Sequence, residues 1–304
     1  MMGPFLLLLT TFIWGTAFLA QKYGAANLGP FSMTVFRNIL GGGFLLVCVL
    51  IRYLKNRGKL DVKKKGSVQH SIIAGICCGV PLCMAMTTQQ IGIEFTSPGI
   101  SAFLTTNYVL FVPVIVAILT RKMPSLKICI GVVMALVGTY FICMTGANSG
   151  GGFSGVGKGE LWTILCAVFF SIQMVTVDHF AAKVDLLLMS AVQLLTCSVI
   201  AAPFLLMDAE ASKIAAGGIL NAWIPLIYCG IFSSGIAYTL QNFAQARTPA
   251  AVAAILLSME SVFGTISGFV CLGDRMSIGQ TTGCLVVLAA VIWTQLPTKS
   301  NTPS

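Results

Sequence analysis

The sequence predicts an all-α integral membrane protein with ten transmembrane helices, arranged as two inverted repeats of five helices. Composition is the first reason, because 57% of the 304 residues are apolar and 9% are charged, whereas soluble domains carry about 25% charged residues. The second reason is that ten apolar runs occur, each near the length of about 17–25 residues that a membrane-spanning helix needs. These runs are continuously apolar and do not alternate, which indicates helices rather than a β-barrel.

The ten apolar runs occupy most of the chain. Their approximate bounds, in order, are 4–22, 31–51, 71–92, 98–119, 125–144, 160–178, 186–206, 222–243, 249–271 and 278–296. The longest stretches between them are the basic segment 52–70 and the glycine-rich segment 145–159, and neither is long enough to form a soluble domain. We therefore expect a protein that consists of membrane spans and the connections between them.

Lysine and arginine residues are concentrated in alternate connections. Four of the 18 lie on one side of the predicted membrane (Lys22, Lys158, Lys213 and Arg275), and thirteen lie on the other side, among them the cluster Lys63–Lys65. Since basic residues stay on the cytoplasmic side, both termini are predicted to be cytoplasmic, in the cell (cytoplasmic) membrane. This distribution accounts for the net charge of +9 without a nucleic-acid partner, and the cluster could also contact anionic lipid headgroups.

Residues that commonly carry chemistry form no metal, cofactor or catalytic pattern. All eleven cysteines lie inside apolar runs, without a C-x-x-C motif, and thiols in such positions behave as small apolar side chains. The segment 146–159 nearly matches a phosphate-binding P-loop, but Gly159 replaces the required Ser or Thr and no strand precedes it. With no Ser–His–Asp set in the spans, we expect no metal, no cofactor and no enzymatic activity.

The glycine-rich segment 145–159 divides the ten runs into two groups of five. We therefore predict two repeats, over 4–144 and 160–296, joined by this linker. Because five is an odd number, the second repeat must enter the membrane from the opposite side. Such an inverted repeat allows two similar halves to open a central site alternately to each side of the membrane.

The two halves also resemble each other in sequence. The run FLLLLTTFIWGTAF matches LWTILCAVFFSIQM, and TSPGISAFLTTNYVLFVPVIVAIL matches TPAAVAAILLSMESVFGTISGFV. These alignments, with that of the second and seventh runs, place Pro98 on Pro249, Asn107 on Ser258 and Arg37 on Gln193. Low-complexity apolar sequence aligns easily, so a static bundle with an accidental likeness is the alternative.

Two charged residues lie deep inside the predicted spans, Arg37 in the second and Glu260 in the ninth. A charge at the bilayer centre costs at least about 2.5–3.5 kcal/mol and usually faces the bundle interior, where it marks a pathway. Arg37 has three interpretations: it binds an anionic group of a substrate, pairs with Glu260 or Glu94, or extends to the outer interface. Glu260 is a candidate for proton coupling, with a hydrogen-bonded structural carboxyl as the alternative.

Uncharged polar side chains accompany these two charges in the spans. With them, the candidate residues of a substrate cavity are Trp14, Arg37, Gln90, Asn107, Tyr108, Gln173, Tyr238, Gln241, Ser258 and Glu260. Amides, phenols and an indole around an apolar cavity suit a small polar or zwitterionic molecule. Each of them, taken alone, could instead form a hydrogen bond between helices.

Four stretches resemble the EamA-like family of the drug/metabolite transporter superfamily: TFIWGTAF, TVFRNILGG, FTSPGISAFLTTNYVLFVPV and LLSMESVFGTISGFVCLGDRMSIGQTTGCLVVLA. In the last stretch, Glu260–Ser261 matches the family pattern of Glu followed by Pro or Ser, and Gly273–Asp274–Arg275 is a variant of its G-E-R. The corresponding turn Thr120–Met123 in the first half lacks the acidic residue. The resemblance implies a carrier of ten helices in an inverted repeat, often exporting amino acids or related metabolites through a central cavity.

We therefore expect a secondary membrane transporter that exports small metabolites such as amino acids by alternating access through a central cavity. One alternative is an exchanger or uptake carrier for sugar- or nucleotide-linked metabolites, although phosphorylated cargo should require more basic cavity residues than Arg37 alone. The other is a non-transporting membrane scaffold or sensor. The expected partners are a small-molecule substrate and membrane lipid, with a homodimer as an option.

Overall fold

Residues are described by a computed structural model over the ranges 2–55, 68–96, 98–144, 157–272 and 277–296. Within these ranges the chain is almost entirely helical and contains no β-strand. Three features noted in the sequence lie outside these ranges: the cluster Lys63–Lys65, residues 145–156 of the linker, and Gly273–Asp274–Arg275.

The helices follow the apolar runs along the chain. The first part contains α1 (Met2–Asn27), α2 (Pro30–Lys55), α3 (Val68–Phe95), α4 (Pro98–Thr106), α5 (Tyr108–Thr120) and α6 (Leu126–Met144). The second part contains α7 (Lys158–Ala181), α8 (Leu186–Ala201), a 3₁₀ turn (Ala202–Leu206), α9 (Asp208–Ala215), α10 (Gly218–Asn221), α11 (Trp223–Ile227), a π-helical segment (Tyr228–Ala237), α12 (Tyr238–Gln245), α13 (Ala250–Leu257), α14 (Met259–Leu272) and α15 (Ile278–Gln295).

Many of these helical stretches are long and apolar enough to cross a membrane. Seven have this length and composition in the described residues: Gly3–Asn27, Pro30–Lys55, Val68–Phe95, Lys158–Ala181, Leu186–Leu206, Trp223–Gln245 and Ile278–Gln295. Shorter apolar helices cover Leu104–Thr120, Leu126–Phe141 and Ala250–Gly264. Large apolar side chains such as Leu54 and Ile118 are exposed on the outside of the bundle, as expected for a surface that faces lipid. The chain is therefore a multi-pass membrane protein.

Two apolar runs are interrupted at positions that match between the halves. The runs 98–119 and 249–271 look continuous in the sequence, but a single non-helical residue breaks each of them, Asn107 in one and Ser258 in the other. Each follows the proline that starts its run by nine residues. The amide of Asn107 bonds to the carbonyl three residues earlier at 3.2 Å, which is a 3₁₀ geometry. The amide of Ser258 is shared between the carbonyls four and three residues earlier, at 3.1 and 3.3 Å. The side chains of Asn107 and Ser258 also donate to the backbone carbonyls three residues earlier. A side chain that competes with the backbone for hydrogen bonds in this way disturbs a helix.

Helices α3 and α7 pack antiparallel to each other. Near the C-terminus of α3, a Cβ atom added to Gly92 would lie 3.1 Å from the carbonyl oxygen of Gly159, at the start of α7. Near the other end, Ala74 of α3 and Val177 of α7 belong to one buried cluster. Small residues let helix backbones approach closely in a membrane. The C-terminal ends of α3 and α7 therefore lie on opposite sides of the bundle.

Two further contacts assign the neighbouring helices to these sides. The ammonium of Lys22 in α1 donates to the carbonyl of Ile93 in α3 at 2.8 Å, so α1 and α3 end on the same side, which we name the α3 end. The amide of Gln245 in α12 donates to the carbonyl of Met174 in α7 at 3.1 Å. Helices α7 and α12 thus end together on the opposite side, which we name the α12 end.

Helix α2, which carries Arg37, is held at both ends by carboxylates. At its start, Glu210 of α9 accepts hydrogen bonds from the amides of Phe31 and Ser32 at 3.2 and 3.0 Å. At its end, Arg52 pairs with Asp185 at 2.6 Å. Negative groups stabilise a helix N-terminus through its free N–H groups. These two contacts fix the position of α2 against the second half of the chain.

Candidate functional site

Residues from both halves of the chain enclose a cavity inside the bundle, with about 440 Å³ of space free of protein atoms when its open part is included. The lining side chains belong to Trp14, Phe18, Gln21, Arg37, Gln89, Thr105, Tyr108, Phe170, Met174, Ser233, Tyr238, Gln241, Leu257 and Glu260. Apolar and aromatic walls with a few convergent polar groups are typical of sites for small molecules. The lining therefore has the character of a binding site.

Arg37 lies on the cavity wall, and the partners of its guanidinium among the described residues are hydroxyl groups. Its Nε donates to Ser234 Oγ and its Nη2 donates to Ser233 Oγ, both at 3.0 Å. No nitrogen of Arg37 lies within 4.0 Å of a carboxylate oxygen in the described part of the chain, so neither Glu260 nor Glu94 forms an ion pair with it. Only 4% of Arg37 is exposed, which rules out extension to the interface in this conformation.

The position of Arg37 depends on close packing between α2 and the π-helical segment. A Cβ atom added to Gly230 would lie 3.0 Å from the carbonyl oxygen of Arg37, and one added to Gly41 would lie 2.6 Å from the carbonyl oxygen of Gly230. Glycine at both positions lets the two backbones touch. This contact brings Ser233 and Ser234 within reach of the guanidinium.

Glu260 lies where the two interrupted runs meet. The break at Ser258 places Glu260 in the first turn of α14, where the helix dipole favours a negative group. Its Oε1 accepts hydrogen bonds from the Tyr108 hydroxyl at 3.0 Å and from Thr106 Oγ1 at 3.5 Å. Thr106 and Tyr108 flank the break at Asn107, so both interruptions serve to surround one carboxyl group, which is 3% exposed.

An aromatic pair lies on the cavity wall between α1 and α12. The rings of Trp14 and Tyr238 are 4.8 Å apart at an angle of 54°. The indole Nε1 of Trp14 donates to the carbonyl oxygen of Ser233 at 3.1 Å, and this bond fixes the ring against the segment that also holds Arg37. The cavity therefore combines an aromatic wall with one cationic group and one carboxyl group.

Comparison with known proteins identifies the family. Residues 1–144 and residues 157–296 each match the sequence profile of the EamA-like transporter family. The chain belongs to this family. The resemblance predicted from the four sequence stretches is thereby confirmed, and the cavity described above lies inside a transporter of the EamA-like family.

Relatives of this EamA-like transporter cover nearly its whole length. It is 25% identical over 287 residues to an uncharacterized transporter of Archaeoglobus fulgidus, across 94% of this chain and 83% of that protein. It is 24% identical over 291 residues to the uncharacterized transporter YoaV of Bacillus subtilis, across 92% of each chain. A solved crystal structure superposes with a TM-score of 0.75 at 19% identity, over 96% of both chains, and shares its fold.

The ten residues predicted to form the cavity fall into two groups. Six lie on its lining: Trp14, Arg37, Tyr108, Tyr238, Gln241 and Glu260. The other four do not line it in this conformation. Gln90 contacts the backbone of Gln21, and Gln173 contacts Gln241, whereas Asn107 and Ser258 form the two helix breaks.

The sequence interpretation missed eight lining residues of this transporter, namely Phe18, Gln21, Gln89, Thr105, Phe170, Met174, Ser233 and Leu257. The apolar residues among them cannot be recognised from the sequence, because apolar side chains in a membrane helix face lipid as well as a cavity. Ser233 reaches Arg37 from a π-helical segment, whose register differs from the ordinary helical period. Gln21 and Gln89 could have been found, since they are amides within apolar runs, as Gln90 is.

Proposed function

We propose that this EamA-like transporter exports zwitterionic metabolites such as amino acids by alternating access through the central cavity. The observation that carries the proposal is that Arg37 and Glu260 line the same cavity without pairing with each other. Their side chains are held by hydroxyl groups of serine, threonine and tyrosine. A guanidinium without a counter-ion suits the carboxylate of an amino acid, and a carboxyl group suits its ammonium.

The remaining lining favours an organic zwitterion over phosphorylated cargo. Arg37 is the only cationic side chain in the described lining, whereas recognition of a phosphate group usually uses several cationic groups or a helix N-terminus. The aromatic pair of Trp14 and Tyr238 offers an apolar surface to a side chain of the substrate. Sugar- and nucleotide-linked metabolites are therefore poorer candidates than amino acids.

Alternating access rests on the proposed arrangement of ten helices as two inverted five-helix repeats, over 4–144 and 160–296. Three observations support it: the matching breaks at Asn107 and Ser258, the antiparallel packing of α3 and α7, and the separate match of each half to one family profile. Similar halves that face opposite ways can exchange conformations around a site between them. The cavity is drawn from both halves, as such an exchange requires.

The proposed orientation places both termini in the cytoplasm and the protein in the cell membrane. It follows from the concentration of lysine and arginine in alternate connections. The α12 end then faces the cytoplasm and the α3 end faces outward. For energy, we propose that Glu260 binds a proton during the transport cycle, because it is a buried carboxyl group on the cavity wall. Transport without chemical conversion of the substrate means that the protein is not an enzyme.

The proposal can be tested with purified protein in liposomes. The liposomes are loaded with an equimolar amino-acid pool and, in separate samples, with a pool of sugar phosphates, and efflux is followed by mass spectrometry with and without a pH gradient. We expect selective efflux of amino acids, driven by the gradient. Glu260→Gln should remove the dependence on the gradient, whereas the control Glu160→Gln, at the start of α7 and bonded to Thr96, should not.

Two results would contradict this function. Efflux of sugar phosphates in preference to amino acids would reassign the substrate class. Absence of efflux, from protein that elutes as a single folded species, would favour a scaffold or sensor. Gradient-dependent efflux in Glu260→Gln would remove only the proton-coupling role of that carboxyl group.

A further inference from the structure

Two glutamine pairs lie inside the bundle, one in each half of the chain. In the first half, Gln90 Nε2 of α3 donates to the backbone oxygen of Gln21 of α1 at 3.4 Å. In the second half, Gln241 Nε2 of α12 donates to Gln173 Oε1 of α7 at 3.4 Å. All four side chains are buried. Each half therefore joins its first helix to a later one, through a backbone carbonyl in the first half and a side-chain carbonyl in the second. Gln241 Nε2 also donates to Gln245 Oε1 at 2.9 Å.

One member of each pair occupies an equivalent place in its half. Gln90 precedes Pro98 by eight residues, and Gln241 precedes Pro249 by eight residues. Those prolines are the ones that start the two interrupted runs. The partner residues Gln21 and Gln173 belong to α1 and α7, the helices that open the two halves, but the alignment of the first and sixth runs places Gln173 on Ala17. Each half therefore bonds the amide eight residues before its proline to its first helix, at a different position of that helix.

Each pair leaves polar atoms without a protein partner. Gln21 Oε1, Gln90 Oε1, Gln241 Oε1 and Gln173 Nε2 are buried and receive or donate no hydrogen bond within the described residues. A buried polar group without a partner is costly, and native proteins contain few of them. Three of the four atoms are carbonyl oxygens, which accept hydrogen bonds from N–H donors. Two such sites per molecule point to a ligand that carries N–H groups.

The pairs lie at opposite ends of the cavity. Gln21 and Gln90 are in the C-terminal parts of α1 and α3, toward the α3 end, and Gln173 and Gln241 are toward the α12 end. One member of each pair, Gln21 or Gln241, lines the cavity. A molecule that crosses the cavity therefore meets one pair at each end.

We propose that the two glutamine pairs are binding subsites for the ammonium group of the substrate, one at each end of the cavity, which are used in turn. The α12-end pair binds the ammonium when the cavity is open to the cytoplasm, and the α3-end pair binds it when the cavity is open to the outside. Between these two positions, the ammonium group binds to Glu260. This inference rests on the proposed function and adds the residues that recognise the substrate at each face.

The test measures apparent affinity separately at the two membrane faces. Inside-out and right-side-out vesicles from producing cells receive an equimolar amino-acid pool, and the concentration that gives half-maximal transport is determined for each face. Because a hydrogen bond to a charged group is lost, Gln241→Leu should raise this concentration roughly tenfold or more at the cytoplasmic face. Gln21→Leu should do so at the outer face. Each variant should leave the opposite face nearly unchanged.

Gln193→Leu is the matched control. Gln193 is also a buried amide with an unpartnered Nε2, but it does not line the cavity. We expect its half-maximal concentrations to equal those of the wild type at both faces. If a leucine variant does not fold, the methionine variant at the same position replaces it, because an unbranched side chain fills the space more easily.

The inference is overturned if Gln241→Leu and Gln21→Leu change both faces equally, or if they behave like Gln193→Leu. A failure of the proposed function would look different, because the wild type itself would then transport no amino acids in either kind of vesicle. Hydroxy acids, in which an O–H replaces the ammonium, provide a second readout: the glutamine variants should discriminate less than the wild type between each amino acid and its hydroxy acid.

Discussion

Helix α2 carries two arginines, Arg37 and Arg52, whose burial and bonding partners are opposite. Arg52 is at the end of the helix, with 34% of its side chain exposed, and pairs with Asp185 at 2.6 Å. Arg37 is 4% exposed, yet its partners in the described part of the chain are two serine hydroxyls. Among the described residues, the exposed arginine thus has a carboxylate partner and the buried arginine does not.

This difference indicates which arginine contributes to stability and which to function. Burying a charge costs several kcal/mol unless it is paired, so selection for stability alone would place a carboxylate beside Arg37 or remove the charge. The surface arginine shows that the chain can supply such a carboxylate. A buried cation that donates to neutral acceptors keeps its charge available for an anionic group of a substrate. The comparison therefore supports the proposal that Arg37 recognises the substrate, whereas Arg52 serves stability.

The largest expected effect comes from removing the buried charge. Arg37→Gln should reduce amino-acid transport by at least roughly a hundredfold, because losing one partner of a desolvated charge pair is expensive. The variant should still fold, since no protein carboxylate is left unpaired. Transport in proteoliposomes and thermal unfolding measure the two effects. A variant that transports like the wild type would show that Arg37 does not contact the substrate.

The second prediction makes Arg37 resemble Arg52. Ser234→Asp supplies a carboxylate at a position that now bonds to Arg37 Nε at 3.0 Å. The new ion pair should lower amino-acid transport roughly tenfold or more, because the substrate must compete with it, and should raise Tm. Ser234→Ala is the control, expected to keep most of the transport activity. If Ser234→Asp raised Tm without lowering transport, the guanidinium would not be the carboxylate site.

A smaller effect is expected at the carboxyl group on the other side of the cavity. Tyr108→Phe removes the hydroxyl that donates to Glu260 Oε1 at 3.0 Å. Loss of one hydrogen bond to a charged group should reduce transport by about tenfold, measured as the rate at saturating substrate. Tyr53→Phe, at an exposed position of α2, should transport as the wild type does. Equal rates in the two variants would count against a role for Tyr108.

The smallest effects belong to the surface arginine and its partner. Asp185→Ala removes the ion pair and also the cap that accepts from the amides of Leu187 and Leu188 at 3.1 and 3.0 Å. It should lower the free energy of unfolding by about 0.5–2 kcal/mol, and Arg52→Gln should lower it by at most about 1 kcal/mol. Both variants should keep the half-maximal substrate concentration of the wild type. A change in that concentration would show that Arg52 acts on the cavity.

Much of this architecture could be predicted from residue type alone. Continuous apolar runs predict helices in a membrane because lipid cannot satisfy backbone polar groups. Arg37 and Glu260 could be selected as site residues because a charge inside such a run is costly without a function. Both lie on one cavity, as candidates for a shared site should.

The details around these two charges could not be predicted in the same way. The breaks at Asn107 and Ser258 depend on local competition between side chain and backbone, which hydropathy does not register. The π-helical segment changes which side of its helix Ser233 occupies, so periodicity gives no indication of its contact with Arg37. Apolar lining residues such as Phe170 are identical in type to residues that face lipid, and only the packing of helices distinguishes them.

Substrate preference tests the central claim most directly. Each amino acid in the pool is paired with the amine that lacks its carboxylate, and the ratio of their transport rates is measured in proteoliposomes of the wild type, Arg37→Gln and Arg52→Gln. If Arg37 binds the substrate carboxylate, the wild type and Arg52→Gln should prefer the amino acid, and Arg37→Gln should lose that preference. An Arg37→Gln protein that is active and keeps the preference of the wild type would contradict the account.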